Sequence, residues 1–375
     1  MHSASQHNAD QPPIRPASSH SSSIAAGTRA RSALHAPFLA ADVGGTHARL
    51  GLVQLEAGAS GAGNTLTVLH YGKFACANYA CLADILREFL HGIDAPPVAQ
   101  ACIACAGYAL GDNLLNANLP WPVSISAIRR DLGFERVALV NDFQAVAYAT
   151  HFYGAENSLM IGGDAASGGN QPRLVVGPGT GLGAAVLIPG EPRPSILATE
   201  AGHAALSPRT ALELQIVRRL GNGIAHVPNE QVLSGPGLVT LYRVLCEIRA
   251  SAVRFDTPAQ ITAAALAASD AVAGECVDVF CAWLGSLVGD LVLLFGAHGG
   301  VYLAGGVLPQ IVPLLKRSAF SERLCNKGAL REVLERVPVR LIDHGQLGVT
   351  GAAHWFLDNE YEAERSRHSV QAGAE

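Results

Sequence analysis

The chain has 375 residues, 49% of them hydrophobic and only 15% charged, which excludes disorder throughout and by length suggests two domains or slightly more. A formal net charge of −5 and a pI near 6.3 offer no bulk attraction to a polyanion, so no nucleic-acid partner is expected. The eight cysteines fall mostly in apolar runs, the usage of a cytosolic protein whose thiols are small buried hydrophobes.

Residues 1–36 carry eight serines, three arginines and one acid but no apolar block; without the core of a secretory signal they read as a disordered tail. From residue 37 strands and helices alternate. FLAADV (38–43) is a short buried strand ending in glycines, and ARLGLVQL (48–55) is its hairpin partner. Residues 78–93 place Leu82, Ile85, Leu86, Phe89 and Leu90 on one helical face. Cys102 and Cys105 have C-x-x-C spacing, but they lie in the apolar run VAQACIACAG (98–107) with no second pair at metal-ligand spacing, so a core strand is expected. A short helix over 124–133 stops at Gly133, and the strand VALV (137–140) meets Asn141 and Asp142 before a helical run. An Asp at a strand's carboxyl end lies where α/β sheets place their chemistry.

After a loop over 161–172 the alternation restarts with RLVVGPGTGLGAAVLIPG (173–190). Gly177, Gly179, Gly181 and Gly183 leave the backbone N–H groups open to an anion. The dinucleotide fingerprint would need glycine at Leu182, and no G-x-x-x-x-G-K-[ST] occurs, so neither familiar phosphate loop applies; a plain tight hairpin stays open. AADVGGTHARLGLV and VVGPGTGLGAAVLI are each strand, Gly-Thr, strand, with Thr46 and Thr180 134 residues apart, which implies a duplicated unit with one phosphate hairpin per half. Helical periodicity covers 210–220, 238–249 and much of 258–297; a strand in 299–309 runs into Gly305-Gly306, followed by a helix-like run; the last strand is 337–343 and a helix closes the chain. The run 283–297 is too short for a bilayer and carries Asp290, so a buried helix is expected and no membrane partner.

Six ordered motifs, ADVGGTHARLGL (41–52), LVNDFQAVA (139–147), GPGTGLGAAVL (177–187), TEAGHAALSP (199–208), NEQVLSGPGL (229–238) and VYLAGGVLP (301–309), together closely resemble the bacterial hexokinase-like glucokinases. The resemblance implies an α/β, two-domain actin-like ATPase (ribonuclease H-like) fold: a small domain of 37–150 plus 346–375, a large domain of 151–345, and a ligand cleft between them. It implies a cytoplasmic, homodimeric enzyme that transfers the γ-phosphoryl of ATP, with Mg²⁺, to the 6-hydroxyl of D-glucose, giving ADP and glucose 6-phosphate. Alternatives are a kinase of another hexose, such as mannose or glucosamine, or a sugar-sensing regulator on the same fold; the retained Asp142 and the lack of a helix-turn-helix segment before the first strand count against the regulator.

In such enzymes the counterparts of Ala41, Asp42, Val43, Gly44, Gly45 and Thr46 face the nucleotide phosphates, with Asp42 holding Mg²⁺ through water. Gly179, Thr180 and Gly181 grip from the opposite domain, and Gly305 and Gly306 let adenosine lie against the backbone. Asp142 is the general base, and Asn118, Asn141, Asp142, Glu200, His203 and Glu230 match the sugar contacts. Each has a plainer reading: Asp42 a turn former, Asp142 a helix N-cap, Gly305-Gly306 a strand-to-helix turn, Asn118 a turn residue, Glu230 a helix-start acid, and Glu200 with His203 a partial metal site. With an ordinary pKa of about 3.9 Asp142 is a feeble base, so its value lies in orienting the hydroxyl. A related zinc-containing sugar-kinase group follows E-x-G-H with a cysteine cluster; here none follows His203, so the chain falls outside that group. His47 stands where relatives more often have Asn.

Overall fold

A computed structural model describes residues 36–372 except 57–64, 111, 116–118, 153–157, 168, 223–225 and 343–344, so the expected tail lies almost wholly outside the described residues. In chain order the first half contains β1 (Phe38–Val43), β2 (His47–Glu56), β3 (Thr65–Ala75), α1 (Leu82–Gly92), β4 (Gln100–Cys105), β5 (Tyr108–Leu110), β6 (Asn113–Leu115), β7 (Val123–Ser124), α2 (Ile125–Leu132), β8 (Arg136–Val140) and α3 (Asp142–Ala149). The second contains β9 (Ser158–Gly162), β10 (Arg173–Pro178), β11 (Leu182–Ile188), β12 (Ser195–Thr199), α4 (Ala211–Leu220), α5 (Gly235–Ile248), α6 (Pro258–Leu266), α7 (Ala271–Phe295), β13 (Gly300–Leu303), α8 (Val312–Arg317), α9 (Phe320–Cys325), α10 (Arg331–Arg336), β14 (Val339–Ile342) and α11 (Leu347–Ala372).

The two large sheets repeat one plan. In the first, β1 pairs antiparallel with β2 and β2 with β3, while β4 and then β8 add parallel on the other side of β1, in the order β3-β2-β1-β4-β8. In the second, β10, β11 and β12 form the antiparallel set and β13 and β14 the parallel one, in the order β12-β11-β10-β13-β14, with β9 added antiparallel at the edge. The duplication read from the two Gly-Thr hairpins is thus a duplication of sheet topology. Beside the first sheet β5, β6 and β7 form a small antiparallel sheet.

Residue pattern explains the layers. Every position of β1 is buried, as a central strand covered on both faces requires. Leu82, Ile85, Leu86 and Phe89 of α1 cover one face of the first sheet, and Val349, Ala352, Ala353 and Phe356 of α11 cover the other. Cys102 and Cys105, three apart on β4, fall on opposite faces and join different cores, so their spacing builds no redox pair. α7 is long and apolar enough to cross a membrane, yet 72% of its apolar window is buried inside the protein, with Phe280, Trp283 and Leu284 in the core of the second sheet. Asp290 on it is bonded to Lys327. Beside it, Glu213 of α4 is 2% exposed and accepts from Arg323 Nη1 at 2.7 Å and Nη2 at 3.1 Å.

The elements missed by periodicity are mainly edge strands: β3 has no fully buried residue and shows no clean alternation, and β9 and β12 likewise lie at sheet edges. α5 begins three residues earlier than expected because Ser234 caps it, its Oγ accepting from Gly237 N at 2.9 Å.

One helix is wedged between the two sheets. Ala145 of α3 packs with Cys102, Ala104 and Phe356 on the first side, while Phe143, Val146 and Ala147 pack on Val175, Ala185 and Ala304 of the second. The fit depends on glycines: a Cβ on Gly183 of β11 would sit 2.0 Å from the Phe143 ring, and one on Gly351 of α11 would sit 1.9 Å from the Ala145 carbonyl oxygen. Gly351→Ala is therefore expected to destabilise by about 1–3 kcal/mol in denaturant unfolding. Gly274→Ala, with nothing within 4 Å of its built Cβ, is expected to be neutral or stabilising by up to about 1 kcal/mol.

Candidate active site

The first hairpin turns at Gly44–Thr46, closed by Gly44 N donating to His47 O at 3.0 Å. Cys76 pins it from behind, donating its backbone N–H to Thr46 O at 3.0 Å and its Sγ–H to Gly44 O at 3.3 Å. Strand alternation turns Ala41 and Val43 into the core and leaves only their backbone to face a ligand. Asp42 faces the other way, 3% exposed, and its cross-strand partner Arg49 places Nη1 3.5 Å from Oδ2. The start of α11 closes on the same carboxylate, since a Cβ on Gly348 would lie 2.5 Å from Asp42 Cγ. Arg49 was missed in the sequence, although the turn fixes the register that sets it opposite Asp42.

The second hairpin turns at Gly179–Gly181, with Gly179 N donating to Gly181 O at 2.8 Å and Gly179 O accepting from Gly235 N, at the start of α5, at 2.8 Å. The hairpins meet at their tips, where Thr46 Oγ1 and Thr180 Oγ1 are 3.4 Å apart. Gly305 adopts φ +89° and presses against the base of this hairpin, where a Cβ would meet Pro178 O at 2.3 Å, so its turn and packing already require glycine. Over Gly179 and Gly306 a built Cβ meets nothing within 4 Å. That leaves open room along both backbones.

Asp142 is not the helix cap. Asn141 is: its Oδ1 accepts from Phe143 N at 3.0 Å and Gln144 N at 3.1 Å, while Gln144 Oε1 accepts from Asn141 N at 3.4 Å, a full capping box. Asp142 is thereby the first helical residue, with Oδ1 accepting from Phe143 N at 2.9 Å. Its carboxyl is not ordinary either. Dense protein around this half-buried residue raises its pKa to about 7, the negative charge of Asp42 adds to the rise, and Glu200 adds less, against the lowering by the backbone N–H groups. Burial, then Lys73 and Arg49, hold the His47 imidazole below its usual pKa, so it brings no fixed positive charge to the first hairpin at neutral pH.

Glu200 follows β12 and opens a tight turn over Ala201–His203, its carbonyl accepting from His203 N at 3.0 Å. Glu230 is half-buried rather than a free surface acid: Oε2 accepts from Leu182 N at 3.2 Å, and Oε1 lies 3.9 Å from His203 Nδ1. Gly202 lets these segments close, since a Cβ there would sit 2.4 Å from Leu182 O. Supporting residues that the sequence did not single out are Asn229, whose Nδ2 donates to Ala201 O at 3.0 Å, and Ser234, whose Oγ donates to Glu230 O at 2.7 Å. Their signal was only that Asn229 precedes Glu230 and that Ser234 stands at the N-cap of α5. Asn118 lies outside the described residues. Among the described residues no three His, Cys, Asp or Glu converge as a metal cage. Asp42 offers a single buried carboxylate, which suits Mg²⁺, an ion held by one or two carboxylates with phosphate oxygens and waters.

Two α/β sheets of repeated order, each presenting a glycine hairpin to the other, define a sugar kinase-type protein of the actin-like ATPase fold. The glucokinase family matches residues 39–359. A glucokinase-like protein of Xylella fastidiosa is 48% identical over 324 residues, covering 86% of this chain and 95% of that protein. A glucokinase of Saccharophagus degradans is 37% identical over 321 residues, covering 85% and 98%. The crystal structure of a glucokinase from an Antarctic psychrotroph superposes with a TM-score of 0.71 at 32% identity, covering 84% of this chain and 97% of that one. The chain belongs to the glucokinase family.

Because the Asp142 pKa is raised, the folded state holds its proton more tightly than the unfolded state does. Stability from this group is present at low pH and is lost as pH rises from about 4 toward about 7. Asp142→Asn should therefore raise the thermal midpoint relative to the parent at pH 8, and much less at pH 5, in paired unfolding scans.

Proposed function

We propose that the protein is a glucokinase: it transfers the γ-phosphoryl group of ATP, as its Mg²⁺ complex, to the 6-hydroxyl of D-glucose, giving glucose 6-phosphate and ADP. The observation that carries this reading is the meeting of the two hairpins at Thr46 and Thr180, beside a carboxyl raised into the range of a working base. Family membership supports the phosphoryl donor and the sugar class.

On this reading the backbones of Gly44–Thr46 and Gly179–Gly181 hold the polyphosphate from two sides, and the open backbone at Gly306 leaves room for the nucleoside beside Gly305. Asp42 is the residue that would hold Mg²⁺, which supplies charge neutralisation on the phosphate oxygens. Asp142 orients the 6-hydroxyl and accepts its proton as the bond to phosphorus forms. A carboxyl near 7 is better matched to that task at neutral pH than one near 4. Asn141, Glu200, His203 and Glu230, with Asn118, are the proposed partners of the remaining hydroxyls, each of which needs a hydrogen bond once water is removed. Glu230 has a second consequence, because its bond to Leu182 N ties the proposed sugar side to the root of the second hairpin.

We further propose the division into a small domain of 37–150 plus 346–375 and a large domain of 151–345, closing on the sugar to exclude water as a competing acceptor. The family resemblance supports a cytoplasmic homodimer, and sedimentation tests the dimer. Purified protein should form glucose 6-phosphate from ATP, Mg²⁺ and glucose with kcat/KM highest for glucose among glucose, mannose and glucosamine, and Asp142→Asn should lose about 10²-fold or more in kcat while still binding glucose. Binding of glucose without turnover by the parent would overturn the kinase reading.

A further inference from the structure

At the opposite end of the second sheet from the hairpins lies a hollow that the cleft does not use. Arg173 opens β10, Gly300 opens β13, and Arg340 lies on β14; Arg173 pairs with Gly300 and Tyr302 pairs with Arg340 across the sheet. Cross-strand partners and residues two apart share a face, so both arginines and Tyr302 stand on one side of the sheet around a position with no side chain. That position is a cavity of about 140 Å³, with Ser167 on its rim. It lies about 17 Å along β10 from the hairpin, five residues away, and is therefore independent of the reading given to the cleft.

Among the described residues no carboxylate forms an ion pair with either arginine of the hollow. Arg173 Nη1 donates to Thr150 O at 3.0 Å and Arg340 Nη1 to Ser158 Oγ at 3.4 Å; both bonds aim the guanidinium groups, and neither partner is a carboxylate. The remaining N–H donors of two planar forks flank a space large enough for a tetrahedral oxyanion, with Tyr302 lining it; the Ser167 hydroxyl at the rim already donates to Asp164 Oδ2 at 3.1 Å, so the two guanidinium groups are the donors. The hollow opens past Ser167 into a second depression of about 640 Å³. There Glu332 and Arg336 bring opposite charges, and the buried Nδ1 of His298 has no hydrogen-bond partner. Positive charge is thus concentrated in the small hollow, and polar, roughly neutral room adjoins it.

We propose that this hollow binds the phosphoryl group of a phosphomonoester whose organic part extends into the adjoining depression. The test titrates the full chain, with saturating glucose and a non-hydrolysable ATP analogue in the cleft, against inorganic phosphate, glycerol 3-phosphate and chloride at matched ionic strength, by calorimetry and thermal unfolding. Glycerol 3-phosphate is expected to bind and stabilise beyond chloride, at least as tightly as phosphate. Arg340→Gln should weaken it about tenfold or more, with Arg340→Lys between that variant and the parent. Ser167→Asp, on a surface turn that leaves both arginines in place, should abolish binding by repulsion, and serves if Arg340→Gln does not fold. Binding of inorganic phosphate alone would overturn the ester assignment. Equal affinities in parent and variants, or no anion effect beyond chloride, would overturn the site.

Discussion

The wedging of α3 between the two sheets is the constraint on which the site depends. An eight-residue helix with Ala145 against one sheet and Phe143, Val146 and Ala147 against the other can hold Asp142 in one place only if both sheets approach closely. Gly183 and Gly351 permit that approach, and the capping box of Asn141 and Gln144 sets where the helix begins. The same packing strips water from the Asp142 carboxyl near Asp42 and raises its affinity for a proton. A carboxyl held this way costs stability at neutral pH, an expense common at sites selected for chemistry.

The repeated strand order gives the molecule two similar hairpins with different supports. Cys76 holds the first from behind, whereas the amino end of α5 holds the second through Gly235. Glu230 adds a side-chain tie from the neighbouring turn to Leu182, so the second hairpin and the His203–Glu230 pair form one connected unit. The Thr46–Thr180 contact then joins parts of the chain that share no sheet. Asp42, at the foot of the first hairpin, has Arg49 as its cationic neighbour, and the three acids Asp42, Asp142 and Glu200 are near enough for their charges to be felt together.

Much of this is legible in the sequence. Alternation and glycine punctuation located β1, β2, β4, β10 and β11 within a residue or two, because buried central strands carry continuous apolar runs, and the apolar run of the edge strand β8 was found the same way. Edge strands such as β3 and β9 were not legible, since a strand exposed on one side needs no such run. Candidate residues were found by motif, yet their supports were not: Arg49, Asn229 and Ser234 act through partners that the motif alone does not disclose.

Local patterning and turn chemistry act over a few residues, so the α/β alternation, the duplicated Gly-Thr hairpins and the acids set beside them are written in the sequence, while the class of fold followed from the family resemblance of the ordered motifs. Packing between distant segments, in contrast, brought the hairpin tips together. It also raised the Asp142 pKa to about 7 through burial and the nearby Asp42 charge, and set Arg173 and Arg340 around a shared hollow. Those properties depend on distance and desolvation between segments up to some 170 residues apart, and only packing brings such segments together.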